Sequence, residues 1–65
     1  MNVMENQANR TQYVIKTASG FYYREGFGSQ WTFDVSQAHK YEFVTMANRD
    51  AIFNLDLADF TVELV

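Results

Sequence analysis

Between Phe21 and Asp34 the chain reads FYYREGFGSQWTFD, which places six aromatic side chains and two glycines in fourteen residues. Neighbouring residues on a strand point to opposite faces, so on a regular strand Phe21 and Tyr23 stand on one side and Tyr22 on the other. A fold that buries one set leaves the other on an open face or at the rim. The whole chain has 65 residues, enough for one domain and near the lower size limit for folding without disulfides or metal. At this size, burial at roughly 25 cal/mol per Å² barely offsets the conformational entropy of ordering each residue. Most large rings are therefore needed in the core, while alternation sends at least one outward.

The segments on either side of this run show how the chain is organised. Residues 1–11 are polar and aperiodic, and are expected to form a disordered or loosely held arm before a single domain over residues 12–65. YVIKT and FYYRE read as two strands of a hairpin, with Ala18, Ser19 and Gly20 as the turn and Gly20 free to take positive φ. EGFGSQ reads as a loop or wide bulge, and Trp31 to Phe33 as a short strand or extended bridge. Asp34 with Gln37 three residues on has capping-box spacing, which predicts one helical turn over DVSQA.

HKYEFV, His39 to Val44, alternates and predicts a strand. Thr45 would cap a helix from Met46 to about Leu57, with Ala47, Ala51, Ile52 and Leu55 as its buried stripe and Phe53 widening it. Phe60, Val62 and Leu64 alternate with Thr61 and Glu63 as a last strand that must pair with something already formed. The fold class that follows is α+β: a small, mostly antiparallel sheet of three to four strands in the order ββ-β-α-β, with one helix packed on one face.

Composition narrows the function classes. The net charge of −3 lies entirely in the last third, because residues 1–43 balance and residues 44–65 set Asp50, Asp56, Asp59 and Glu63 against Arg49. Non-specific nucleic-acid affinity comes from cations displacing counterions around phosphates, so an acidic chain is a poor general DNA or RNA binder. With no cysteine, thiolate chemistry and disulfides are excluded. No window approaches the ~18 apolar residues of a membrane span and no signal pattern opens the chain, so a cytoplasmic location without membrane contact is expected.

The candidate chemistry is thin. His39 is the single histidine, and reads as packed or strand-edge rather than as a catalytic base. Asp56 and Asp59 near a helix end lack the soft partners of a metal site, and Gly26 with Gly28 lacks the third glycine and the following helix of a phosphate cradle. No cofactor, metal or enzymatic activity is expected. Asp56 is also badly placed for the helix dipole, which favours cations at a C-terminus, and this points the acidic end towards a basic partner. Tyr, Trp and Arg are the side chains most often energetic at protein interfaces, so Tyr22, Arg24, Phe27 and Trp31, with Asp56 and Asp59, form the candidate partner-binding set.

The run Tyr13 to Lys16, Gly20, Tyr22 or Tyr23, Trp31, Thr32, Asp34, Ala38 and Phe43 resembles a pattern in short proteins encoded by phages and prophages, mostly of Gram-positive bacteria and of unknown function. The likeness covers about residues 12 to 55 and departs at MANRDAIFNLDL, where those proteins carry more Glu and Lys. It implies a non-enzymatic protein in a bacterial host's cytoplasm that binds and modulates a host or phage protein, such as a nucleic-acid-processing enzyme. A weaker likeness, to the small hybrid-binding module at the start of some ribonucleases H, implies single-stranded or hybrid nucleic-acid binding by stacking on Tyr22, Tyr23 or Trp31, with Lys16 and Arg24 on phosphates. Self-association is a further expectation, because short sheets leave edges that pair.

Overall fold

A computed structural model describes residues 11–26 and 28–65. Strand β1, Tyr13–Thr17, is made of β-branched and aromatic residues and occupies an interior position of the sheet. The turn after it closes with Thr17 N–H donating to Phe21 C=O at 2.8 Å and Gly20 N–H to Thr17 C=O at 2.9 Å. Gly20 has φ of 94°, a conformation that costs glycine nothing. This leads into β2, Tyr22–Tyr23, and then β3, Trp31–Thr32. A 3-10 turn at Val35–Gln37 follows, where the sequence predicts a helical turn. Its cap is Asp34, whose Oδ1 accepts from the Ser36 hydroxyl at 2.8 Å and the Ser36 N–H at 3.0 Å. Helix α1 covers Val44–Arg49 and continues as a wider π-helical turn over Asp50–Asn54, and β4 is Phe60–Leu64.

The result is the expected α+β architecture, a four-stranded antiparallel sheet in the order β3-β2-β1-β4 with one helix. Directly opposed residues share a face, so the register sorts the side chains. Ile15 with Val62, Thr17 with Phe60, Tyr13 with Leu64 and Tyr23 with Trp31 stand on one side. There Ile15, Tyr23 and Tyr41 form the core with Ala47 and Ala51 of the helix. Alanines at i and i+4 on the buried side of α1 keep the helix axis close to the sheet. Val14 and Ile15 are adjacent yet both fully buried, so β1 is covered on both sides.

Three local expectations are corrected. HKYEFV is not a strand: Tyr41 alone bridges Tyr13, through a reciprocal pair of 2.8 Å bonds. The reason lies at the end of β2, where the Tyr23 C=O accepts from His39 N–H at 2.9 Å, so the segment starts against β2 before it reaches β1. Only the place beside Tyr13 is then open, and Lys40 Nζ turns back onto the carbonyls of Ala38 (2.8 Å) and Val35 (3.0 Å). Second, the helix begins at Val44 with Phe43 as a cap lacking any side-chain bond, so Thr45 lies inside the first turn and caps nothing. Third, the buried stripe is Ala47, Ala51 and, partly, Leu55, while Ile52 and Phe53 are exposed.

The helix ends on Asp56, whose φ of 56° is the left-handed conformation that glycine holds more cheaply than aspartate. Leu57 N–H closes back to Ala51 C=O at 2.9 Å across it. Asp56→Gly is expected to stabilise the fold by about 1 kcal/mol, from relieved backbone strain and a removed anion at the negative end of the helix dipole. Urea denaturation checks this; a loss of stability instead would mean that the carboxylate holds a contact worth more than the strain.

Candidate functional site

A series of rings joins the sheet to the helix. Trp31 meets Tyr23 edge-on at 6.0 Å, Tyr23 meets His39 at 6.1 Å, and His39 meets Tyr41 at 4.6 Å and 83°. Tyr41 ends the series by donating its hydroxyl to Asp50 Oδ2, and Asn54 Nδ2 donates to the other oxygen of the same carboxylate. These two bonds, Tyr41's first, hold the Asp50 carboxyl below the usual carboxylate range. Burial, then the bond to Asp50, pushes the Tyr41 hydroxyl well above the ordinary tyrosine value. His39 is thus a packed histidine, with Nδ1 3.4 Å from Glu25 Oε1.

Beside this seam lies a cleft of about 420 Å³ between the 39–42 segment and Met46, Arg49 and Asp50 of α1. Its polar wall is already engaged by the protein through the Lys40, His39 and Tyr41 contacts. The cleft opens onto the solvent side of α1, where Phe43, Met46, Ile52 and Phe53 are exposed, Phe53 to 77%. Met46, Arg49 and Phe53 follow one another at helical spacing, opposite the buried alanines.

The residues singled out from the sequence do not form one patch. Tyr22 pairs with Thr32 and Lys16 on the sheet face away from the helix, where Lys16 Nζ lies 5.6 Å from the Tyr22 ring centroid and 3.8 Å from Glu63. Trp31 pairs with Tyr23 and faces the helix, so it cannot join Tyr22. Arg24 is half-buried, and its Nε is buried with no hydrogen-bond partner among the described residues. Phe27 lies outside the described residues. Asp56 serves the helix terminus, and Asp59 is exposed in the connection to β4.

Sequence reasoning missed the solvent side of α1, because Phe53 was assigned to the core and Phe43 to a strand. The signal that could have found it is the i, i+3, i+7 spacing of Met46, Arg49 and Phe53. It also missed a stacked pair at the far end of the sheet, Phe21 on Phe33 with centroids 4.2 Å apart, in which Phe33 is 73% exposed. Among the described residues no group of three His, Asp or Glu side chains is placed to hold a metal ion, and no helix is long and apolar enough to cross a membrane. Compared with protein-family models, with curated proteins and with solved structures, the chain finds no match.

Proposed function

We propose that this chain is a non-enzymatic protein-binding module of phage or prophage type, working in the cytoplasm of a bacterial host by occupying a surface of a host or phage protein. The observation that carries this reading is the solvent side of α1, where Phe43, Met46, Ile52 and Phe53 lie between 48% and 77% exposed. So much apolar side chain on one short helix is characteristic of interaction surfaces, and aromatic, Met and Arg residues are those enriched in interface cores. The adjoining cleft offers a recess for one side chain of the partner. Asp50, Asp56, Asp59 and Glu63 against Arg49 place negative potential on the same third of the chain, which steers towards a basic partner such as a nucleic-acid-processing enzyme.

Nucleic-acid stacking is less well supported. Tyr23 is only 8% exposed, Trp31 turns to the core, and Lys16 is taken up by Glu63 and Tyr22. Of Tyr22, Tyr23 and Trp31, Tyr22 alone is left as a platform, and stacking binders use several rings beside a cationic groove.

The test is capture from nuclease-treated host lysate with the intact chain and with Phe53→Asp and Met46→Asp. Both variants should keep the parent circular dichroism, because both side chains are exposed. A specific protein should bind the parent and bind the variants at least about tenfold more weakly, as expected of hot-spot side chains. Equal binding by all three, or recovery of nucleic acid from untreated lysate alone, would refute the proposed surface.

A further inference from the structure

We infer that β4 is a homodimerisation edge, on which a second copy of this chain adds antiparallel about a twofold axis through Val62. β4 ends the sheet order, and among the described residues it has a neighbour on one side only. The Val65 N–H to Gln12 C=O bond at 2.9 Å fixes the phase of the β1–β4 ladder. Hydrogen-bonded pairs alternate along an antiparallel ladder, so Thr61, Glu63 and Val65 direct their backbone groups at β1. Phe60, Val62 and Leu64 then direct theirs outward.

That outward row is self-complementary. With Val62 opposite its own copy, Phe60 faces Leu64 of the second copy and Thr61 faces Glu63 of the second copy, each relation occurring twice, as an isologous interface requires. The three outward residues would exchange six N–H···O=C bonds with their symmetry mates. No like charges oppose one another in this register. The apolar pairs fall on the helix side of both sheets and cover Leu64, which is otherwise 62% exposed. β4 also holds no proline or lysine, its five-residue register with β1 has no bulge, and its one charge, Glu63, faces an uncharged Thr61 in the proposed pairing. Two copies of charge −3 repel, so the association should tighten with added salt.

The experiment is sedimentation equilibrium of the whole chain over the micromolar to millimolar range, paired with amide exchange. Dimer formation should protect the amides of Phe60, Val62 and Leu64 as concentration rises. Thr61→Glu places a carboxylate beside Lys16 within the monomer, so the fold is kept, but opposes Glu63 of the second copy at two points. It should raise the dissociation constant about tenfold. Adding Glu63→Thr exchanges the two positions and should restore the parent value. A chain monomeric throughout, a dimer whose three amides stay unprotected, or a dimer indifferent to Thr61→Glu would each overturn the inference. A monomer that protects those amides only when a partner protein is present would assign the edge to that partner instead.

Discussion

Ile15→Ala is expected to leave the chain largely unfolded at 25 °C. Ile15 is fully buried, opposes Val62 across the sheet and lies under Ala47 and Ala51. Truncating such a side chain removes its transfer free energy and leaves a cavity, together about 2–5 kcal/mol. The cost should fall at the upper end, because the helix residues above Ile15 are alanines, with no side chain able to swing into the space. A domain of this size has only a few kcal/mol to lose. Ile15→Val provides the calibration, at about 1 kcal/mol with a cooperative transition retained. Denaturation followed by circular dichroism decides the matter: an Ile15→Ala chain within about 1 kcal/mol of the parent would mean that α1 does not pack on β1 as described.

Tyr41→Phe should cost about 1–2 kcal/mol at neutral pH, because it removes a hydrogen bond to an ionised carboxylate while leaving the ring in place beside His39. Its dependence on pH separates this bond from packing. Asp50 has a lowered carboxyl pKa in the folded state, so its contribution is present above the ordinary aspartate value of about 3.9 and is lost as pH falls through the folded value. The gap between parent and variant should therefore narrow in acid. Tyr41 and Tyr23 both have raised values, so each supports the fold fully below about 10 and progressively less as pH climbs beyond that. The parent should lose stability in alkali more steeply than Tyr41→Phe, which has one such tyrosine fewer. A gap constant from acid to alkali would show that the hydroxyl contributes nothing through Asp50.

What could be read from the residues follows how local each feature is. The β1–β2 hairpin and the Asp34 turn were legible because their causes lie within a few residues: β-forming runs about Ala-Ser-Gly, and a carboxylate two residues from the Ser36 amide. The fate of HKYEFV was not, because alternation is satisfied as well by a segment whose Tyr41 alone touches the sheet. Whether more could pair depended on the end of β2, where the Tyr23 C=O accepts from the N–H of His39, 16 residues further on. Tyr22 and Trp31 looked equivalent as free aromatics, and only the register, Tyr23 opposite Trp31, shows that they face opposite ways. The stripe on α1 was hidden because an apolar Phe53 reads as core when the side of the helix that meets the sheet is not known.

The pairing of β1 with both its neighbours also sets an order of events. Lys16 and Tyr22 are 6 residues apart, whereas β1 and β4 join residues 43 apart at Thr17 and Phe60 and 51 apart at Tyr13 and Leu64. Closing the larger loop costs more entropy and is rewarded only when the helix and β4 arrive together, so the hairpin can form long before the sheet is complete. Until then one side of β1 stands open, and the slow step of folding is also the interval in which this chain is most exposed to joining a neighbour in the wrong way.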